Sequence, residues 1–204
     1  MIAILGYGLG NIKAFSNIYR ELNIPFTVAE DRQTLEAADH IILPGVGAFD
    51  QAMRRLRASG LYETLQDVVL GRGKPVLGVC VGMQMLAGSS EEGTEAGLGW
   101  IDGEVAKIRF PADAPTCLLP HMGWSTITAK TDEPLLQGLD DALGFYFLHS
   151  YRFICHKAED VIAVADYATP FDCAVRRGNV FGVQFHPEKS HHNGIRLLKN
   201  FAES

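Results

Sequence analysis

Three short, almost uninterrupted apolar runs, Ile2 to Leu5, His40 to Leu43 and Pro75 to Val79, are separated by segments of helical hydrophobic period. A strand with no polar face must be covered on both sides, and helices between successive strands supply that cover. Residues 1 to 90 therefore predict an α/β fold with an open, mostly parallel central sheet and helices on both faces. The expected order begins with strand Ile2 to Leu5, the turn Gly6-Tyr7-Gly8-Leu9-Gly10, and a helix from Asn11 to Leu22. That helix carries Ile12, Phe15, Ile18, Tyr19 and Leu22 on one face. Strand Pro25 to Ala29, a short helix Thr34 to Ala37 and strand His40 to Leu43, cut by Pro44-Gly45-Val46-Gly47, come next. Helices Phe49 to Ser59 and Leu61 to Leu70, strand Pro75 to Val79 and helix Val81 to Leu86 complete this half.

The second half predicts strands without long helices between them: Val105 to Phe110, Ser125 to Ala129, Phe145 to Leu148, Val161 to Asp166, Cys173 to Arg177 and Asn179 to Phe185. This is an antiparallel or mixed extension of the sheet. A last helix, with Ser190 as N-cap, buries Ile195, Leu197, Leu198 and Phe201. No linker, repeat or low-complexity segment interrupts the chain, so residues 1–204 are expected to form a single domain.

A net charge of −6 with scattered Lys and Arg leaves no footprint for nucleic acid. The densest basic cluster, Arg54-Arg55-Leu56-Arg57, reads as the solvated side of a helix. No apolar stretch approaches a membrane span and the N-terminus lacks a signal-peptide layout, so a cytoplasmic protein is expected. In that compartment the four cysteines are not expected to pair. Cys117, Cys155 and Cys173 read as structural. Cys155 and His156, adjacent on a strand, point to opposite faces and make a poor metal site. No metal or cofactor is expected.

Cys80 differs. It stands in Gly78-Val79-Cys80-Val81-Gly82, the cysteine version of a nucleophile elbow, where a strained turn presents the side chain and flanking glycines permit close packing. A helix starting at Val81 favours thiolate, and the Val81 amide is aimed where an oxyanion would form. His186-Pro187-Glu188 ends the run Val180 to Phe185, leaving His186 at the rim as base and Glu188 placed to orient it. Thiolate and imidazolium must coexist, so a bell-shaped pH profile is expected. Pro44-Gly45-Val46-Gly47 follows another central strand and offers a second oxyanion donor. Gly6-Tyr7-Gly8-Leu9-Gly10-Asn11, with Glu30 downstream, imitates a dinucleotide fingerprint but has Asn11 where the third glycine must stand. It reads as a tight turn whose Asn11 caps a helix or faces a partner. His121 and His149 lie in aromatic runs that suit core, site wall or interface; His156, His191 and His192 read as exposed.

At these residues the chain resembles class I, triad-type glutamine amidotransferases, and among them the glutaminase subunits of imidazole glycerol phosphate synthases. The matching stretches are Gly8 to Asn11, Leu43 to Phe49, Gly82-Met83-Gln84, Pro120 to Trp124, His149-Ser150-Tyr151 and Phe181 to Ser190. The resemblance implies that Cys80 attacks the amide of L-glutamine, His186 protonates the departing ammonia and Glu188 orients His186. It implies that Gly45, Gln84, Glu92, Ser150 and Tyr151 hold glutamine, with the Val46 and Val81 amides as the oxyanion hole. Ammonia would pass to a (β/α)8-barrel cyclase partner in histidine biosynthesis, faced by Asn11, Trp124, Tyr146 and Lys189. In similar proteins the Pro44 to Gly47 strand is unproductive until the synthase is occupied. Gly6, Val81 and Ser125 depart from the usual Asp, Leu and Asn. Gly6 and Ser125 resemble a paralogous group supplying ammonia for amidination of surface-polysaccharide sugars. A stand-alone cysteine hydrolase of similar fold is the other reading, and a catalytically idle interaction subunit a third.

Overall fold

The computed structural model describes residues 1–112 and 117–204. Strands β1 (Ile2–Leu5), β2 (Phe26–Ala29), β3 (His40–Gly45) and β4 (Val76–Cys80) pair in parallel in the order β2-β1-β3-β4. Between them run helices α1 (Ile12–Glu21), α2 (Arg32–Ala37), α3 (Phe49–Ala58) and α4 (Tyr62–Gln66), the last continued by one π-helical turn, Asp67–Gly71. Every residue of β1 and β4 is buried. Phe15 and Tyr19 of α1, and Phe49, Met53 and Leu56 of α3, lie in the core that covers them.

The chain then forms the single turn α5 (Val81–Gln84) and strands β5 (Ser89–Ser90), β6 (Gly103–Lys107), β7 (His121–Ser125), β8 (Ile127–Ala129), β9 (Phe145–His149) and β10 (Tyr151–Cys155). Strands β11 (Val161–Asp166), β12 (Pro170–Arg177) and β13 (Val180–Val183) and helix α6 (His191–Ala202) complete it. β13 adds to β4 in parallel, and β12, β10, β6 and β5 extend the sheet beyond it, with β11 pairing β12 and β8. β7 and β9 make a separate antiparallel pair. The expected mixed α/β architecture is present.

Several local expectations are corrected. β3 is not cut at Pro44: it runs on to Gly45, because Pro44 and Gly45 keep register with Val79 and Cys80 of β4. α5 stops at Gln84 instead of reaching Leu86. The carbonyls of Met85, Leu86 and Ala87 accept N–H bonds from Leu98, Trp100, Ile101 and Gly99, so they are occupied by another segment. A one-turn helix has only a small dipole, so little of any thiolate preference at Cys80 comes from it. The strand expected over Ser125 to Ala129 is divided, β7 pairing with β9 and β8 with β11. β10 is an unanticipated strand, and its pairing from Tyr151↔Lys107 to Cys155↔Gly103 moves β6 to the N-terminal side of the expected Val105 to Phe110. Neither Asn11 nor Ser190 caps its helix through its side chain. The Ser190 hydroxyl instead donates to the His186 carbonyl (2.6 Å) and accepts from the Tyr146 amide (2.9 Å), tying β9 to the turn after β13.

Two glycines let β3 and the elbow touch. A Cβ on Gly82 would fall inside the contact shell of the Leu43 carbonyl oxygen, and one on Gly45 would collide with the Gly82 amide nitrogen. Both obstacles are backbone. Gly82→Ala is therefore expected to cost about 3 kcal/mol or more of stability. Chemical denaturation checks this, and an unchanged midpoint would contradict the packing argument.

Candidate active site

β4 ends on Cys80, whose φ of +56° and ψ of −112° place it in the strained turn that an elbow requires. Three residues beyond β13 His186 arrives beside it, with Glu188 in the turn that follows. His186 Nδ1 lies 3.0 Å from Glu188 Oε1, and both side chains are buried. A carboxylate only accepts, so Nδ1 carries the proton and Nε2 is left for the thiol. Burial disfavours the charged ring. Hydrogen bonds to Cys80 and Glu188, with their charges, outweigh it and raise the His186 pKa to about 9. The imidazolium is thus the resting form at neutral pH. The other Glu188 oxygen, Oε2, is buried without a partner, so this carboxylate's one hydrogen bond is spent on the ring.

The other thiols have different surroundings. Burial, then Asp172, Asp160 and Asp102, push Cys155 up to about 12, and burial raises Cys173. Neither is a nucleophile.

A cavity of about 290 Å³ opens over Cys80. Val46, Val81, Gln84, Glu92, Ser150, Tyr151, His186 and Lys189 line it together with Cys80. Gly45 does not: it is buried one residue behind Val46, against Gly82. Glu188 stands behind His186. The segment carrying Glu92 is pinned to α3. Glu92 Oε2 accepts the Phe49 amide (2.8 Å), and Asp50 accepts the Thr94 and Glu95 amides (3.0 Å each). Arg54 and Arg57 both pair with Glu95, so the basic cluster on α3 fastens this wall as well as facing solvent.

Gln184 is a site residue that the sequence reading did not nominate. Fully buried, its amide donates to Cys80 Sγ at 3.8 Å and accepts from Gln84 Nε2 at 3.0 Å. The available signal was a polar residue inside an apolar run, two positions before His186.

His149 forms part of the far wall, with His121 behind it. His149 Nδ1 lies 2.8 Å from the Tyr151 carbonyl, so it donates, and Nε2 must accept. His121 Nδ1, 3.0 Å from that Nε2, is then a donor, and its Nε2 accepts from the Ser125 hydroxyl at 3.0 Å. Burial lowers the His121 pKa to about 4. Burial, and the neighbouring His121 and His186, lower that of His149 to about 3 against the Tyr151 hydrogen bond. Both rings are neutral at pH 7. Their folded values lie below the unfolded 6.5, so the stability they confer is present above pH 6.5 and declines as pH falls towards 4 and 3. His186, raised, works oppositely: its contribution is complete below about pH 6.5 and is lost as pH climbs to about 9. The net expectation is a loss of stability between pH 7 and pH 5, the two lowered histidines outweighing the small gain from His186 in that window. Urea titrations at both values test it; equal midpoints would refute the neutral assignment.

On the outer face of the β7–β9 pair, Met122 opposes Leu148 and Trp124 opposes Tyr146. Met122, Trp124 and Leu148 are 66 %, 50 % and 37 % exposed. His191 stacks on Trp124 (centroids 5.3 Å apart), and Lys189 Nζ lies 5.4 Å from the centre of the Tyr146 ring. Met122 and Leu148 share this exposed face with Trp124 and Tyr146; alternation along each strand was the signal that would have found them. Asn11 is exposed at the start of α1, which packs against the Pro187–Lys189 turn. No helix among the described residues is long and apolar enough to cross a membrane.

The family pattern described as "Glutamine amidotransferase class-I" matches residues 6–204. The chain is 52 % identical over 202 residues to the "Imidazole glycerol phosphate synthase subunit HisH" of Leptospira interrogans, covering 99 % of each chain. It is 51 % identical to the protein of the same name from Bdellovibrio bacteriovorus, covering 100 % of each. A solved glutamine amidotransferase superposes with a TM-score of 0.69 at 20 % identity, over 99 % of this chain and 97 % of that one, a likeness of fold. With the elbow and His186 in one cavity and Glu188 bonded behind the ring, the chain belongs to the class I glutamine amidotransferase family, alongside the HisH subunits of imidazole glycerol phosphate synthase.

Proposed function

We propose that the protein is a glutaminase subunit that hydrolyses L-glutamine to glutamate and ammonia and delivers the ammonia to a synthase partner. The observation that carries this reading is that Cys80 and His186 line one cavity, with Glu188 bonded to the far side of the His186 ring. Cys80 Sγ attacks the side-chain amide carbon. The developing oxyanion is received by the Val46 and Val81 amides. His186 gives its proton to the leaving nitrogen, the C–N bond breaks, and ammonia departs, leaving a γ-glutamyl thioester. His186, now neutral, takes a proton from water as it attacks the thioester, and glutamate leaves with Cys80 restored. Glu188 holds the ring in the required tautomer. Gln84, Glu92, Ser150 and Tyr151, with Gly45 behind them, hold the amino acid.

The partner in this reading is a (β/α)8-barrel cyclase that makes imidazole glycerol phosphate and an aminoimidazole carboxamide ribonucleotide. Asn11, Trp124, Tyr146 and Lys189 would meet it, and the exposed apolar ladder of Met122, Trp124 and Leu148 beside the cavity mouth supports docking there. The relatives named HisH at 51–52 % identity favour this partner over a polysaccharide-modifying one. The test is co-purification from the native host followed by a glutamate-release assay. Recovery of a cyclase whose addition stimulates glutamine hydrolysis is the expected result. Robust peptide hydrolysis without a partner and without glutamine preference would select the stand-alone hydrolase instead.

A further inference from the structure

We propose that Tyr7 is a positioning residue for the oxyanion site: its hydroxyl fixes the Pro44–Gly45 peptide and, through it, the direction of the Val46 amide. The proposal rests on the glutaminase reading above. Pairing between β1 and β3 ends at Ile4↔Ile42, two residues short of Pro44, whereas β3 stays paired with β4 as far as Gly45↔Cys80. The Ile41 amide bonds Pro75 on the β4 side. Successive residues of a strand bond to alternate neighbours, so the Pro44 carbonyl faces the β1 side, where no strand remains to meet it.

Tyr7, two residues past the end of β1, fills that vacancy. Its hydroxyl donates to the Pro44 carbonyl at 2.6 Å. The other polar neighbour is the Met85 thioether at 3.7 Å, a weak acceptor. Burial, and then the nearby Cys80, raise the phenol's pKa above its ordinary value, so the hydroxyl keeps its proton at working pH. Proline has no amide hydrogen, so the carbonyl is the one backbone polar group by which Pro44 can be anchored. The same turn grips the ring: a Cβ on Gly10 would come within 2.5 Å of Pro44 Cβ. The glycine-rich turn that imitates a dinucleotide fingerprint is, in this assignment, a clamp on the segment leading to Val46.

An oxyanion donor acts on the transition state more than on bound substrate, so its misdirection reduces kcat and leaves KM nearly constant. Tyr7→Phe removes one oxygen and keeps the ring. In the complex with the synthase it is expected to lower kcat for glutamine hydrolysis at least about tenfold, with KM changed less than about twofold. p-Aminophenylalanine at position 7 retains a donor and should recover most of the activity. Tyr19→Phe is the control, since that buried hydroxyl also reaches a backbone carbonyl, Leu198 at 3.4 Å, away from the cavity. An unchanged kcat in Tyr7→Phe, a loss confined to KM, or an equal loss in Tyr19→Phe would overturn the proposal while leaving the glutaminase reading intact. A wild-type complex that releases no glutamate would overturn that reading, and this one with it.

Discussion

Cys80→Ala, assayed with the synthase partner bound, is expected to release glutamate no faster than background, a loss on the order of 10⁴- to 10⁶-fold. Cys80 is the one thiol among the cavity's lining residues, and it stands on the elbow beside His186. The two other thiols whose surroundings raise them, Cys155 and Cys173, are held protonated and cannot substitute. Alanine removes the sulfur without disturbing the backbone strain at position 80, and the fold should persist. A glutamine-analogue electrophile should label the wild type at Cys80 and leave the variant unlabelled. Glutamate release by the alanine variant at the wild-type rate would remove Cys80 from the reaction.

The second large effect is expected at His186. His186→Asn should lower kcat by about 10³-fold or more, because the leaving nitrogen loses its proton donor and the water step its base. The pH dependence distinguishes this from a packing defect. In the wild type, activity should fall as pH rises through about 9, where the imidazolium held by Cys80 and Glu188 gives up its proton. The residual activity of the asparagine variant should lack that limb. Initial rates between pH 6 and pH 10 decide the matter; an alkaline limb retained in His186→Asn would assign it to another group.

The chemistry was legible in the sequence because it is local. A strand that ends on Gly-x-Cys-x-Gly and another that ends on His-Pro-Glu each declare their geometry within five residues. The parallel half of the sheet was legible for the related reason that strands buried on both faces leave continuous apolar runs. What escaped depends on partners distant in the chain. β10 is only half-buried at Tyr151, Arg152, Ile154 and Cys155, so it has no clean period, and its pairing with β6 decides its existence. α5 is not continued past Gln84 because the segment from Leu98 to Ile101 claims the carbonyls of Met85, Leu86 and Ala87 that follow it. His121 and His149 are 28 residues apart and become one hydrogen-bonded unit only through the β7–β9 register. Tyr7 and Gln184 were visible as residues, but their targets, a proline carbonyl and a sulfur, appear only in three dimensions.

The in-register pairing of β4 with β13, from Val76↔Val180 to Val79↔Val183, has a consequence for how the protein acquires activity. Nucleophile and base lie more than a hundred residues apart, and this one ladder sets their separation. A slip of two residues would keep every side chain on its proper face yet displace His186 from Cys80 by about 6.6 Å. Such a molecule would be compact, rich in sheet and inert. Recovery of turnover during refolding therefore reports the moment at which the last parallel strand locks into place, a clock that global probes of secondary structure would read early.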